Sequence, residues 1–243
     1  MYWSCKRSPE KPAEKPSPEK SIAKLQTAGR SVISGHVFFT GVAPAPRVYD
    51  VSLDNACGAG HDERRTTEEV VVSRDGGLQN VFVYVSKGLD GFTVDAPSSP
   101  VLLDQRGCRF APHVLGIQVG QPLRIMNSDA TLHNVHAQAT VNKAFNLGMT
   151  VKVREVQRVF DAAEIMIPVR CNVHPWMGAY IGVVDHPFYS VSDSAGFFSL
   201  GNLPAGDFTI EAWHENFGRQ QQSLTIGEAE TRTLDFTFHA KEN

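Results

Sequence analysis

Residues 171–177 read Cys-Asn-Val-His-Pro-Trp-Met, so a thiolate, an imidazole and a thioether stand at i, i+3 and i+6 of one short stretch. Two histidines and a cysteine in one plane, with a long, weak axial methionine, form the donor set of mononuclear copper sites that transfer single electrons. Cys171, His174 and Met177 would supply three of those donors, and one histidine must come from elsewhere. A tight loop suits the task because strands on either side can hold both of its ends. The polypeptide then sets the geometry, whichever oxidation state the metal prefers. The competing view is a buried free cysteine beside unrelated His and Met, since Cys and Met are common in cores. The upstream run Asn127-Ser-Asp-Ala-Thr-Leu-His-Asn-Val-His136 weighs against it, because it offers His133 or His136 as the missing nitrogen ligand.

The segment from Phe110 to Val135, Phe-Ala-Pro-His-Val-Leu-Gly-Ile-Gln-Val-Gly-Gln-Pro-Leu-Arg-Ile-Met-Asn-Ser-Asp-Ala-Thr-Leu-His-Asn-Val, resembles the cupredoxin family. In that pattern a strand, a Gly turn and a second strand lead to an Asn and then to a His-Asn pair. The short Cys-x-x-His-Pro-x-Met loop is similar to that of amicyanin. The resemblance spans roughly residues 80–185 and implies one copper ion held by His133, Cys171, His174 and Met177. It also implies that the Asn134 backbone N–H donates to the Cys171 sulfur while its side chain ties the two ligand loops together. His174 would then sit at the surface as the electron port, with Pro175 and Trp176 as an apolar collar for a transient redox partner. Trp176 reads equally as a core residue under the loop. His136, at an odd offset along a strand, turns to the opposite face from His133.

The surrounding elements read as β-strands. Val32-Ile-Ser-Gly-His-Val-Phe-Phe, Val48-Tyr-Asp-Val-Ser-Leu, Glu69-Val-Val-Val-Ser and Asn80-Val-Phe-Val-Tyr-Val are separated by turn signals such as Asp75-Gly-Gly. Val153-Arg-Glu-Val-Gln-Arg-Val-Phe alternates as a half-exposed or edge strand does. Glu164-Ile-Met-Ile-Pro-Val-Arg enters the metal loop, and Gly178-Ala-Tyr-Ile-Gly-Val-Val leaves it. Helical periodicity is confined to a turn or two near Lys20–Thr27 or Lys143–Leu147. The expectation is an all-β chain: a Greek-key sandwich followed by a smaller one.

Cys57 and Cys108 form the natural disulfide pair once Cys171 is assigned to metal. Closing a loop of about fifty residues adds roughly 3–4 kcal/mol in the chain-entropy model. The alternatives are a pair of unpaired buried thiols or, with His61 and His113 close behind the two cysteines, a tetrahedral zinc site, although structural zinc favours tighter Cys spacing. A disulfide accords with an oxidising, extracytoplasmic compartment such as the periplasm. Residues 1–30 alternate charge with proline and read as a disordered tether. Cys5 ahead of that tether resembles the lipidated start of a bacterial lipoprotein, a route to a membrane, although Tyr2 and Trp3 are poor fits to that pattern.

Residues 31–186 are expected to form the copper domain with an N-terminal β extension. Residues 187–243 form a second block. There, Gly196-Phe-Phe-Ser-Leu-Gly-Asn-Leu-Pro-Ala-Gly-Asp-Phe-Thr-Ile-Glu-Ala-Trp-His is similar to the carboxypeptidase regulatory-like, prealbumin-type sandwich, which implies a packing or docking role. Gly35-His-Val-Phe-Phe-Thr-Gly resembles the opening strand of such modules, so the copper domain could be an insertion within one. His186 and His214 read as polar surface rather than as a second metal site.

The 243 residues carry a formal net charge of −3, which excludes the basic profile of nucleic-acid binders. No apolar run approaches the roughly 18 residues of a membrane-spanning helix. Three functional classes follow: a one-electron carrier, a copper storage or delivery protein, and a copper enzyme. The last is disfavoured because it needs a second copper with its own histidine cluster.

Overall fold

The computed structural model describes residues 23–24, 30–51, 54–58 and 64–240. Most of the expected tether, Cys5 and His61 lie outside the described residues. The described residues are all-β apart from one helical turn at Asn55–Gly58. Among the described residues no helix is long and apolar enough to cross a membrane.

Two sheets enclose the predicted ligands. One runs Glu155–Arg158, Leu123–Asn127, Val101–Gln105 and Phe110–Ala111 in spatial order. The other runs Phe145–Met149, His133–Ala137, Glu164–Arg170, Gly178–Val184 and Val114–Gln118. Each sheet contains one parallel pairing, of 123–127 with 101–105 and of 178–184 with 114–118, so the chain crosses between the layers instead of meandering. Leu103, Ile125, Val135, Val169 and Ile181 lie fully buried between the layers, as alternating strand residues should. Glu155–Arg158 stands at an edge with alternating exposure, as its sequence predicts. Residues 145–149, near an expected helical turn, form a strand instead, paired along its whole length with 133–137. At the other expected turn Ala23–Lys24 are extended and pair with Phe92–Thr93.

The second sandwich is assembled from both ends of the chain. Ser31–Thr40 pairs with Phe197–Leu203 on one side and with Thr231–Thr233 and Phe236–His239 on the other. Phe82–Lys87 pairs with Tyr189–Val191 and Gly206–His214, and the latter pairs with Gly218–Ile226. Residues 31–40 and 82–87 therefore pair within the sheets that hold 189–239, outside the two sheets around the predicted ligands, whereas the sequence reading places them in one unit with those ligands. The physical reason is the inward face of 31–40. Its buried side chains Ile33, Val37 and Phe39 pack with Phe198, Leu200, Phe236 and Phe238 in a core separate from the first. The sandwich that encloses the predicted ligands is inserted between strands of this frame.

The sandwiches meet through Phe82, Tyr84, Val114, Met166 and Val184. Gly182 lies on this seam, where an added Cβ would fall 2.6 Å from the Phe82 ring, so no larger residue fits without displacement. His113 pairs with Glu215 across the same boundary.

Candidate metal centre

Strand Glu164–Arg170 ends directly before Cys171, and strand Gly178–Val184 begins directly after Met177. The seven residues between them close on themselves. Met177 N–H donates to the His174 carbonyl at 2.9 Å, and Cys171 N–H donates to the Met177 carbonyl at 3.3 Å. His174 N–H points at the Cys171 sulfur, 3.4 Å away. His133 opens the neighbouring strand His133–Ala137, which pairs with the strand leading into the loop.

Three predicted donors converge. His133 Nδ1 lies 2.9 Å from His174 Nδ1, and His174 Nδ1 lies 4.0 Å from Cys171 Sγ. One donor atom from each of His133, Cys171 and His174 falls within 4.8 Å of the others. A cation held about 2.0–2.3 Å from nitrogen and sulfur donors is accommodated by such separations. Met177, the expected axial donor, is 1% exposed and belongs to the same core. His133, Cys171 and His174 are 0%, 3% and 4% exposed, so the donor set is removed from solvent.

Each histidine presents Nδ1 to the centre and anchors its other nitrogen on a carboxylate. His133 Nε2 donates to Asp129 Oδ2 at 2.9 Å, and His174 Nε2 donates to Asp54 Oδ2 at 3.1 Å. Bonds of this kind fix the orientation and tautomer of a ligand imidazole and raise its basicity. Asp129 is itself held by the Gly107 and Cys108 N–H groups at 2.6 and 2.8 Å. Asp54 is held by Ala56 N–H at 2.8 Å and Thr131 Oγ1 at 3.0 Å. Burial works against charge on both carboxyls, but the donated hydrogen bonds outweigh it and leave both below the usual range.

The candidate donors perturb one another. Burial opposes a charged His133, yet the hydrogen bonds to Asp129 and Cys171 prevail and raise its pKa to about 9. For Cys171, burial favours the neutral thiol. Hydrogen bonds from His133 and from the Asn134, His174 and Val173 N–H groups reverse that and lower its pKa. Burial lowers His174, against an upward pull from Asp54.

Asn134 lies between the two segments. Its backbone N–H donates to Cys171, and its Oδ1 accepts from Asn172 N–H at 2.5 Å, linking the two ligand segments. Cys57 and Cys108 are joined by a disulfide with a Cα separation of 5.5 Å. His113 plays no part there: its Nδ1 donates to the Gly178 carbonyl at 3.0 Å and its Nε2 meets Glu215. His136 is only half-buried and faces Asn172, away from the donor cluster.

Two expectations are corrected here. His174 is not a surface residue. Asp54 covers its Nε2 edge, and Cys57 Sγ lies 3.7 Å from the same nitrogen. The disulfide brings the 54–58 segment over the loop, which removes the exposed imidazole edge. His186 and His214 are likewise buried. His186 donates to the Val85 carbonyl at 2.9 Å, and His214 stacks on Phe217 with ring centroids 4.7 Å apart. Burial first, and then the His113 charge, push His214 down to about 4.

Trp176 is half-buried. Its indole packs beside His174 at 5.0 Å between centroids and stacks on Tyr49 at 5.4 Å, while Nε1 donates to the Cys108 carbonyl at 3.1 Å. Pro175 is exposed. A groove beside the loop is lined by Tyr49, Arg109, His113, Pro175 and Trp176.

Asp54 and Asp129, which brace the two candidate ligand histidines, are missed by the sequence reading. Asp129 carries a weak signal, four residues before His133. Asp54 carries none, being 120 residues from the histidine it supports.

No protein-family model and no curated protein matches the chain. Among solved structures, partial similarity extends to a copper-containing nitrite reductase from Thermus scotoductus SA-01. It is 21% identical, covers 36% of this chain and 23% of that one, and has a TM-score of 0.33. An oxidised amicyanin variant is 24% identical over 37% of this chain and 86% of its own, with a TM-score of 0.32. A Cu(I) amicyanin variant is 20% identical over 42% of this chain and 97% of its own, with a TM-score of 0.31.

Proposed function

We propose that this chain is a mononuclear copper protein that carries single electrons between redox partners. The observation that carries the reading is the convergence of His133 Nδ1, His174 Nδ1 and Cys171 Sγ in a buried pocket, each imidazole braced from behind by a carboxylate. Copper in this donor set cycles between Cu(I) and Cu(II) with a potential tuned by the axial ligand and the hydrogen bonds on the cysteine sulfur. The residues supply what that cycle needs. Asp129 and Asp54 hold the rings still, Asn134 and His174 N–H groups hold the sulfur, and the short loop between paired strands resists rearrangement.

Burial of His174 moves the expected electron port. Trp176, in contact with His174 and stacked on Tyr49, connects the ligand to the exposed Pro175 and the adjoining groove. A redox partner would dock there rather than on the imidazole edge. The Cys57–Cys108 disulfide supports an oxidising, extracytoplasmic location.

A storage or delivery protein is the second reading. Such a protein must release its ion, and donors that are 0–4% exposed speak for retention instead. An enzyme would need a second copper with its own histidines. The donor groups found among the described residues all include His133 or His174. The test is redox cycling of the copper-loaded protein: ascorbate should bleach its colour and ferricyanide restore it over many rounds without copper loss. Release of the ion on reduction would favour delivery.

A further inference from the structure

The Cys57–Cys108 disulfide does more than staple a loop. Its two sulfurs and a His174 nitrogen lie within 4.8 Å of one another, on the side of the imidazole that faces away from Cys171. Cys57 Sγ is 3.7 Å from His174 Nε2. Tetrahedral bonds of about 2.0 Å to nitrogen and about 2.3 Å to sulfur would set those two atoms about 3.5 Å apart. Asp54 Oδ2 lies 3.1 Å from the same nitrogen and completes the surroundings with an oxygen. All three candidate ligands are buried. The Cα separation of 5.5 Å between the cysteines brings both sulfurs to one point without movement of the main chain.

We propose that reduction of Cys57–Cys108 creates a second, thiolate-rich Cu(I) site formed by Cys57, Cys108 and His174 Nε2. Soft thiolates with one imidazole select Cu(I). The conversion is a thiol–disulfide exchange. A dithiol reductant gives up two electrons and two protons and becomes a disulfide, the sulfur–sulfur bond breaks, and two thiols form. Binding of Cu(I) then releases to solvent the two thiol protons and the Nε2 proton that is hydrogen-bonded to Asp54 in the oxidised chain. The His174 ring thereafter serves both centres, through Nδ1 to the first and Nε2 to the second. Oxidation withdraws two of the three ligands, so the thiol state of this pair sets the copper capacity of the chain.

The test separates this site from the first one by using Cys171→Ser, which removes the thiolate of the first site. Cu(I) binding is measured by competition with the chromophoric chelator bathocuproine disulfonate, before and after reduction, with near-UV circular dichroism recording the fold. The oxidised variant should take up no tightly held Cu(I), and the reduced variant one equivalent while keeping its native spectrum. Adding His174→Ala should weaken that binding at least tenfold, and wild-type protein should rise from one equivalent to two. The proposal is overturned if reduced Cys171→Ser binds no copper. It is equally overturned if His174→Ala leaves the affinity unchanged, or if reduction abolishes the native spectrum.

Discussion

His174 Nε2 lies 3.1 Å from Asp54 Oδ2, and this contact across 120 residues turns an exposed ligand edge into an interior one. Asp54 accepts the Nε2 proton and makes the imidazole a stronger donor, which favours the more highly charged oxidation state of a bound ion. Asp54→Ala should therefore raise the reduction potential. A tenfold loss in preference for the oxidised ion corresponds to about 59 mV for one electron. Protein-film voltammetry on both proteins measures this, and an unchanged or lower potential in the variant contradicts the assigned role.

Metal uptake should be coupled to protons. With its pKa raised to about 9, His133 is protonated near neutrality in the metal-free chain and must lose that proton to bind an ion. Apparent affinity should climb about tenfold per pH unit through the neutral range, with at least one proton released per ion. Calorimetry in buffers of different ionisation enthalpy counts that proton.

The stability of the metal-free chain should show the opposite trend. The folded pKa of His133 lies above its ordinary 6.5, so its contribution is fully present below pH 6.5. It is lost as pH rises through about 9. Thermal melts of the metal-free protein should show this loss, and His133→Gln should remove that part of the pH dependence.

The loop at 140–142 hangs on one carboxylate. Glu164 accepts from Thr140 N–H at 2.6 Å and from Asn142 N–H at 2.8 Å, and Asn142 Nδ2 adds a further bond at 3.0 Å. Burial favours its neutral acid, but these donors prevail and depress its pKa to about 2. A depressed carboxyl stabilises the fold above its ordinary pKa of 4.5 and loses that contribution as pH falls through about 2. Glu164→Ala should cost about 1–3 kcal/mol at neutral pH, because several donors lose their acceptor. Urea unfolding measures this, and the difference from wild type should shrink in acid.

Asn134 joins the His133 strand to the 171–177 loop. Asn134→Ala keeps the backbone N–H that reaches Cys171 but removes the acceptor for Asn172 N–H. The expected outcome is a folded protein, less stable by about 1–2 kcal/mol, whose copper spectrum is retained but broadened.

What the sequence reveals about this centre is what is local in the chain. The Cys171-to-Met177 spacing and the His133-Asn134 pair lie within short segments, and the alternation of flanking residues marks the strands that hold them. The disulfide is also legible, because only two cysteines remain for it between the tail and the metal loop. Asp54 and the burial of His174 are not legible. They arise when the disulfide folds a distant segment over the loop, and no periodicity encodes that approach. The placement of Ser31–Thr40 was suggested by Gly35–Gly41 but is decided by pairing with 197–203 and 231–239, nearly the whole chain away.

The most direct measurement is a titration of the purified protein with Cu(II), followed by visible absorption and electron paramagnetic resonance. The account predicts an intense thiolate-to-copper absorption that saturates at one equivalent, with a narrow copper hyperfine splitting. Cys171→Ser should abolish the absorption, while His136→Ala should retain it. A tightly bound but colourless Cu(II), or full colour in Cys171→Ser, would contradict it.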